Sequence, residues 1–418
     1  MLTFFRFIQV IFFLSALLLC ACNEKNRTTI DDAEYPYAGL PRIAIETDSL
    51  REIKDRETKI PAKLRIFGEK EPQSEILELT IKGRGNSSWT DMPQKSYKLE
   101  FKEKQAMFGM PENRDWALVS SYGDKTLLKN YVTYKLSSWL NADYSPRGRL
   151  VEVYLNREYK GVYLFVETLK IDKNRINWID KENAFFAEFD IRQNKPEQKK
   201  KDYTFFTDGI KKPVIIHSPK KVSDSLATLL SNHLDSTTIY IRNDSLPLDS
   251  LKQIFDMKSY LQYYWVQEFS KNFDGAFASS VHFTWEPGRT IKMGPLWDFD
   301  LAYGGIKAGY AQIPFYWHTR KFFWNNSLFH NEEFVQAANS YWKEHRDVFA
   351  QVPDSIHAYG KMLEKAAQNH FKRWPILEDT TAWFHPHAYS TYSAAVDSLE
   401  SWTRERINWI DRNTGKAR

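Results

Sequence analysis

Cysteine is nearly absent from this sequence, with two in 418 residues, Cys20 and Cys22. Both lie in the N-terminal segment, so disulfide bonds contribute nothing to the rest of the chain. The chain is long enough to bury a large core, and 42% of its residues are hydrophobic. The composition therefore indicates a globular protein that depends on its core for stability, with material for one large domain or two ordinary ones.

Excess charge is also lacking, since a net charge of +5 is small for this length. No basic stripe rises above scattered Lys and Arg, and the densest basic run, Lys199–Lys201, is typical of a solvated loop. We therefore expect no nucleic-acid partner. Aromatic residues are abundant, at 15%, which fits either a generous core or surfaces that stack on sugars or bases.

The apolar run at the N-terminus, Phe7–Leu19, is too short to cross a bilayer comfortably. It follows a short basic start and leads into Cys22, an order typical of a bacterial lipoprotein signal peptide, residues 1–21, cleaved before Cys22. Cys20 is the poorer cleavage site because the bulky Leu19 precedes it. An acylated Cys22 would anchor the protein in the cell envelope, at the outer membrane or cell surface. An uncleaved anchor helix would also leave the domain outside the cytoplasm.

Two regions follow a polar tether at residues 22–39. Residues 40–170 are predicted to be β-rich because apolar and polar residues alternate, with strands at 42–47, 62–67, 76–81, 95–101, 115–120, 151–156 and 162–167. A helix is predicted at 125–140, and a hairpin turn ending at Gly161 joins the last two strands. Residues 171–414 begin with a strand at 184–190 and become mostly helical after residue 223, with helices at 226–234, 248–255, 257–269, 334–349, 356–374 and 389–409.

A polar turn with two glycines, residues 83–89, precedes a strand that begins at Lys95. The glycines allow backbone N–H groups to approach an anion. The turn matches neither the Walker pattern nor the dinucleotide fingerprint, so by itself it is most simply an ordinary hairpin turn. Lys95 shares a face of its strand with Tyr97 and Leu99, where a lysine needs an anionic partner. The alternative is that Lys95 extends past the strand edge to water.

Two carboxylates, Asp298 and Asp300, stand in an apolar run that closes at Gly304-Gly305. The pattern predicts a strand running into a turn, with both carboxylates on one face and Trp297 and Phe299 facing a core. Adjacent carboxylates repel unless a cation, a proton or a basic partner lies between them, which suggests a hard metal with oxygen ligands. The alternative is that one aspartate caps the next turn and the other pairs with a lysine.

A third carboxylate, Asp274, follows the helix predicted at 257–269. A strand at 281–285 is predicted to pair, across the turn 286–288, with the strand that holds Asp298, which would bring Asp274 near Asp298. Phosphoryl transfer needs a positive group on the phosphates, a carboxylate that holds Mg²⁺ and a carboxylate that positions the hydroxyl nucleophile. Glycoside hydrolysis also uses two carboxylates, but it has no need of the glycine turn and the lysine.

Several motifs occur in order between about Leu40 and Arg412: Gly83–Trp89 with Lys95–Tyr97, Gly109–Pro111 before Asp115-Trp116, Asp124-Lys125 with Lys129-Asn130, Tyr159–Tyr163, and Gly294–Asp300. As an ordered set, they resemble the CotH kinase family, the spore coat protein H-like atypical kinases. The resemblance implies an α+β, divergent protein-kinase-like fold with a β-rich N-terminal lobe and a mainly helical C-terminal lobe. It also implies binding of ATP and Mg²⁺ and phosphorylation of Ser or Thr in partner proteins.

The same resemblance implies roles for individual residues. Asp298, with Asp300, matches the metal-binding position and Asp274 the catalytic one. Lys95 is the best match for a phosphate-contacting lysine, in competition with Arg84. The turn would contact the phosphates through Arg84, Gly85, Asn86, Ser87 and Ser88, and Glu167 falls at the connection between lobes, beside the adenine.

The sequence departs from the family pattern at two places. Ser279-Ser280 stands where some members have Asn, a better metal ligand, and Lys129 stands where Arg is common. The expected function is a lipid-anchored, extracytoplasmic kinase acting on a protein on or near the cell envelope. The alternative is a catalytically inactive surface protein that binds glycans or an envelope protein, since free ATP is expected to be scarce outside the cytoplasm. A glycoside hydrolase is the third possibility.

Overall fold

The computed structural model describes residues 30, 33–69, 73–180, 184–194, 204–207, 209 and 211–415, and it confirms the α+β class. The predicted signal peptide and Cys22 lie outside the described residues. Residues 33–39, which the sequence assigns to the tether, contact the folded region, since Tyr35 stacks on Tyr159 with ring centroids 4.2 Å apart. Within the described ranges, no helix is both long and apolar enough to span a bilayer.

Seven strands close into a barrel in the order β1-β2-β3-β4-β5-β7-β6. Neighbouring strands are antiparallel, except that β1 and β6 run parallel where the barrel closes. The strands are β1 (Arg42–Thr47), β2 (Ile60–Phe67), β3 (Leu77–Arg84), β4 (Ser96–Gln105), β5 (Asn113–Ser120), β6 (Gly148–Leu155) and β7 (Glu158–Glu167). All the strands predicted before residue 170 are therefore confirmed.

Alternating side chains of these strands fill the barrel, as the period of two requires. They form one buried cluster that includes Ile43, Leu64, Leu99, Trp116 and Phe165. A short helix, α1 (Ser87–Thr90), interrupts the β3–β4 connection, and helix α2 (Lys129–Trp139) follows β5. Helix α2 begins four residues later than predicted.

The position of the β6–β7 hairpin turn was predicted wrongly. The turn is formed by Asn156 and Arg157, both with positive φ (52° and 71°), and Gly161 lies inside β7. Gly161 also has a positive φ of 95°, and a Cβ there would lie 2.9 Å from Nδ1 of His370. Gly161 is therefore a site of close packing inside a strand rather than a turn residue.

A second sheet follows the barrel, with strand order β12-β11-β8-β10-β9. Its strands are β8 (Phe185–Phe189), β9 (Thr204–Phe206), β10 (Pro213–Ser218), β11 (Val281–Trp285) and β12 (Lys292–Met293). The helices around it are α3 (Asp224–Tyr240), α4 (Leu248–Ile254), α5 (Met257–Ser270), α6 (Phe323–Leu328), α7 (Glu332–Arg373) and α8 (Tyr392–Asn413).

Helix α7 corrects a second prediction, because the two helices expected at 334–349 and 356–374 are one helix of 42 residues with Pro353 inside it. Proline removes one backbone hydrogen bond and disfavours a helix interior. Val352 and Ile356, on either side, are buried in the main core. Their burial on both flanks keeps the helix continuous, since tertiary packing provides most helix stability in proteins.

Candidate functional site

The loop that carries Asp274 starts where α5 ends. Lys271 caps the helix in a left-handed conformation, with φ 44°. Its buried ammonium group donates to three backbone carbonyls between Tyr310 and Phe315 at 2.6–2.9 Å. Burial lowers the pKa of Lys271 to about 7. Lys271 therefore fixes the start of the loop, which next presents Asn272 and Asp274.

The segment that carries Asp298 is not the strand that the sequence predicts. The strand at 281–285 pairs across the predicted turn with β12, but β12 ends at Met293 and does not include Asp298, which has a positive φ of 67°. Side-chain hydrogen bonds hold this segment in place of strand pairing. The Asn130 side-chain oxygen, on α2, accepts a hydrogen bond from the Phe299 backbone N–H at 2.8 Å. Trp297 and Phe299 are buried as expected.

Two hydrogen bonds join the loop and this segment. The Asn272 side-chain amide donates to the backbone carbonyl of Asp298 at 3.1 Å. The Ser280 hydroxyl donates to the Asp298 carboxylate at 3.2 Å. The structure therefore brings together the two motifs that carry Asp274 and Asp298, and Ser280, one of the two departures from the family pattern, contacts the Asp298 carboxylate.

The carboxylates in this site are strongly coupled. Burial, followed by the charge of Asp298, raises the pKa of Asp274 to about 7. Burial and the charges of Asp298 and Asp274 raise the pKa of Asp300 well above its usual value. Arg192 partly offsets this repulsion at Asp274. Burial and mutual repulsion outweigh the opposing charges of Arg192 at Asp274 and Lys129 at Asp300, a condition that favours bound protons or a cation.

Arg84 is the cation from the glycine turn that faces these carboxylates. Its guanidinium lies over the Trp297 ring, 4.6 Å from the centroid. Burial lowers its pKa, while the charges of Asp298 and Glu188 act in the opposite direction. Within the described part of the chain, no hydrogen bond or ion pair engages this guanidinium. Arg84 is therefore available to an anionic ligand beside Asp298.

The rest of the glycine turn is shaped by its own packing. Gly85 has a φ of 94°, and a Cβ at Gly83 would lie 2.4 Å from the Trp89 ring. Arg56 donates to the Gly85 carbonyl at 2.7 Å and to the Asn86 side chain at 3.0 Å. Ser87 and Ser88 open helix α1 instead of continuing a loop. Chain geometry therefore accounts for both glycines without an anion.

Lys95 bonds to the turn that precedes it. Its ammonium donates to the Trp89 carbonyl at 2.5 Å and lies 5.8 Å from the centroid of that ring. Burial lowers its pKa, and the charge that opposes this shift is that of Asp91 rather than an aspartate of the carboxylate cluster. The anionic partner expected for this lysine is not found among the described residues, and a neutral carbonyl of the turn takes its place.

Glu167 ends β7, at the exit from the barrel. Its buried carboxylate accepts two side-chain hydrogen bonds from Arg147, at 2.8 and 2.9 Å, and lies 3.7 Å from the Arg175 guanidinium. Both oxygens of Glu167 are thus engaged by arginine. The position agrees with a connection between two parts of the fold, while the side chain holds that connection in place.

The donor set can be tested for its fit to a hard divalent cation. Asn272 is buried, and its amide oxygen has no hydrogen-bond partner among the described residues. Asp298 and Asp300 add carboxylates whose mutual repulsion a cation would relieve. Oxygen ligands of this kind suit Mg²⁺, particularly when substrate phosphates complete the coordination. The residues therefore fit Mg²⁺.

Sequence reasoning gave too little weight to two residues here. Asn272 stands two residues before Asp274 in the sequence, and the burial that makes its amide oxygen significant has no sequence signal. Arg192 forms an ion pair with Asp190 at 2.8 Å and interacts with Asp298. It precedes the basic run Lys199–Lys201 in the sequence and cannot be distinguished from a surface residue by pattern.

Comparison with known families gives one match. The CotH kinase protein family matches residues 81–410, which is most of the chain and includes both Asp274 and Asp298. This match confirms the resemblance that the ordered motifs indicate. None of the curated proteins compared with the chain matches it.

Proposed function

The chain belongs to the CotH kinase protein family, and we propose that it transfers phosphate from ATP to Ser or Thr of a protein on or near the cell envelope. One observation carries this proposal: the Asp274 loop and the Asp298 segment are hydrogen-bonded to each other. The Asn272 side-chain amide donates to the Asp298 carbonyl at 3.1 Å. A base candidate and a metal-ligand candidate then belong to one rigid unit.

Metal and phosphate binding fall to separate groups in this proposal. Asp298 and Asp300 hold Mg²⁺, and the Asn272 amide oxygen adds a neutral ligand. The bound Mg²⁺·ATP supplies the transferable phosphoryl group and neutralises its developing charge. Arg84 contacts the phosphates, because among the described residues its guanidinium is engaged only with the Trp297 ring. Lys95 and the turn from Gly85 to Ser88 shape that side of the site.

Asp274 orients the acceptor hydroxyl and takes its proton. Neither of its carboxylate oxygens accepts a hydrogen bond from the described residues, so the carboxylate is free for a substrate. Without metal, burial and the charge of Asp298 raise its pKa to about 7. Mg²⁺ on Asp298 would offset that charge and lower the pKa of Asp274, so that the carboxylate is ionised and able to accept a proton at neutral pH.

The remaining parts of the proposal concern architecture and location. The barrel and the region after Glu167 correspond to the two lobes of a divergent protein-kinase-like fold, with the adenine near Glu167. Because Arg147 and Arg175 engage the Glu167 carboxylate, the adenine would contact the backbone there. Lipidation of Cys22 holds the domain at the outer membrane or cell surface, where its acceptor protein lies.

Two substitutions test the assignment of roles. Asp274→Asn should abolish phosphate transfer and preserve Mg²⁺-dependent ATP binding, whereas Asp298→Ala should weaken that binding. Titration calorimetry measures the binding, and transfer of labelled phosphate to envelope proteins measures the reaction. Unchanged binding in Asp298→Ala would contradict the metal assignment. Binding of glycan or envelope protein without any Mg²⁺·ATP binding would instead support an inactive surface protein on the same scaffold.

A further inference from the structure

Three side chains that suit a transition metal meet on the second sheet, beside the carboxylate site. They are Glu188 on β8, His217 at the end of β10 and His282 on β11, one from each of three neighbouring strands. One potential ligand atom from each residue lies within 4.8 Å of the others. In the register of the sheet, Glu188 is directly opposite His282.

A β-bulge brings His217 into this group. In the β8–β10 pairing, Ile216 is opposite Ala187 and Ser218 is opposite Phe186, so His217 is the extra residue of the bulge. Alternation along β10 then places His217 on the same face as Ile215, which is opposite Glu188. Bulges commonly redirect one side chain at a functional site, and this one adds the second imidazole.

The Glu188 carboxylate is oriented between the two rings. Nε2 of His217 lies 2.8 Å from one of its oxygens, and Nε2 of His282 lies 3.6 Å from the same oxygen. The other oxygen accepts the backbone N–H of Ser280 at 3.1 Å. Both rings also pack against Phe186, with centroids 5.2 and 5.5 Å away. The ring nitrogens and the carboxylate are therefore held towards one point.

We propose that Glu188, His217 and His282 bind a borderline divalent transition metal, of which Zn²⁺ fits best. Two imidazoles and one carboxylate form a set that suits Zn²⁺ and leaves a fourth position open, whereas Mg²⁺ prefers oxygen ligands throughout. Zinc at its usual distances separates its ligands by about 3.3 Å. The 3.6 Å separation of Glu188 and His282 is near that value, and the pair of Glu188 and His217 would open slightly.

This metal site would be linked to the proposed kinase site through Ser280. The backbone N–H of Ser280 holds Glu188, and its hydroxyl holds the Asp298 carboxylate. Hydrogen-bonded neighbours of metal ligands help to orient a metal site. A metal bound to Glu188 would in the same way help to orient Ser280, which contacts both Glu188 and Asp298. The inference goes beyond the proposed kinase function and does not depend on it.

The test measures Zn²⁺ on the purified chain, without a histidine tag and after removal of metals. Equilibrium dialysis with elemental analysis should give one Zn²⁺ per wild-type chain, retained in excess Mg²⁺. His217→Gln, at a half-buried position, and His282→Gln, at a buried one, should each weaken binding by at least about tenfold. Circular dichroism checks that each variant is folded. If His282→Gln does not fold, the binding measured for His217→Gln decides the test alone.

A second cluster in the described residues, His357 with Asp397 and Glu400, provides the matched control. His357 and Asp397 are exposed, so His357→Gln should leave the Zn²⁺ stoichiometry and affinity unchanged. The proposal is overturned if wild type binds no Zn²⁺, if Mg²⁺ displaces it, or if His217→Gln binds as wild type does. Anomalous scattering at the zinc edge should place the ion between the three ligands. Failure of this test leaves the ATP-binding measurements unaffected, so the two proposals are distinguishable.

Discussion

Asn272 and Asp298, 26 residues apart in sequence, are joined by a hydrogen bond of 3.1 Å from the Asn272 side-chain amide to the Asp298 backbone carbonyl. This bond leaves the amide oxygen of Asn272 buried, with no partner in the part of the chain that the structure describes. A buried polar atom without a partner normally costs free energy unless a ligand or water satisfies it. The arrangement is accounted for if Mg²⁺ binds there.

Asn272→Ala should therefore affect both stability and ligand binding. Loss of the hydrogen bond should lower the free energy of unfolding by about 1 kcal/mol, and loss of the amide oxygen should weaken Mg²⁺-dependent ATP binding by at least about tenfold, a cost of about 1.4 kcal/mol. Urea unfolding and titration calorimetry measure the two effects. The matched control is Asn408→Ala, at an exposed position on α8. Wild-type ATP affinity in Asn272→Ala would remove Asn272 from the metal site.

Arg84 and Lys95 can be separated by the same substitution at each position. Arg84→Met should reduce ATP affinity by about tenfold or more, because a charge-assisted hydrogen bond contributes about 1.5–3 kcal/mol. Lys95→Met should change ATP affinity much less, since its ammonium bonds to the Trp89 carbonyl. Calorimetric titration with ATP and Mg²⁺ compares them. The opposite ranking would restore Lys95 as the phosphate contact.

A buried ion pair anchors the helix that leads into the site. Arg406 and Glu268 are fully buried and 2.7 Å apart, and Arg406 also donates to the Glu268 backbone carbonyl. Arg406→Met leaves Glu268 buried without its partner and should lower the free energy of unfolding by about 3–5 kcal/mol. Arg404→Met, two residues away, breaks ion pairs at an exposed side chain and should cost at most about 1 kcal/mol. Chemical denaturation of both variants checks this difference.

Features of the fold that depend on neighbouring residues could be predicted from the sequence, whereas features that depend on contacts between distant residues could not. Alternation predicted every barrel strand, because one face of each strand packs inside the barrel. The hairpin turn was predicted wrongly at Gly161. A glycine in a sequence is equally consistent with a turn and with close packing, and here it packs against His370. The sequence also predicted two helices in place of α7, with a break around Pro353. The core contacts that keep the helix continuous are long-range and leave no local signal.

The components of the site and the proximity of Asp274 to Asp298 were predictable, but the contacts that hold the Asp298 segment were not. Asp274, Asp298, Asp300 and Arg84 all carry local signals, and the structure couples them electrostatically. The strand expected at Asp298 was wrong because side chains from α2 and the Asp274 loop hold that segment. His217 gave no signal, since a β-bulge depends on the register with a partner strand.

His370 gives stability a defined dependence on pH. Its buried Nδ1 accepts the Val162 N–H at 3.1 Å, and burial lowers its pKa to about 3. Below pH 6.5 the unfolded chain binds a proton that the folded chain excludes, so this contribution to stability falls as pH decreases towards 3. At pH 5 the loss is about 2 kcal/mol.

His370→Gln keeps an acceptor for Val162 and removes the titration. The difference in unfolding free energy between pH 7.5 and pH 5 should therefore shrink by about 2 kcal/mol in this variant. Urea unfolding at both pH values measures it. His330→Gln, at an exposed position, should retain the wild-type difference. An unchanged pH dependence in His370→Gln would show that His370 does not cause it.

Binding of Mg²⁺·ATP at Asp298 is measured by thermal unfolding of the purified chain with and without ATP and Mg²⁺. Ligand at about one hundred times its dissociation constant adds about 2.7 kcal/mol and should raise the midpoint by a few degrees. The rise should require Mg²⁺, disappear in Asp298→Ala and persist in Asp249→Ala, at an exposed carboxylate. No rise at millimolar ATP, or an equal rise in Asp298→Ala, would contradict binding of Mg²⁺·ATP at Asp298.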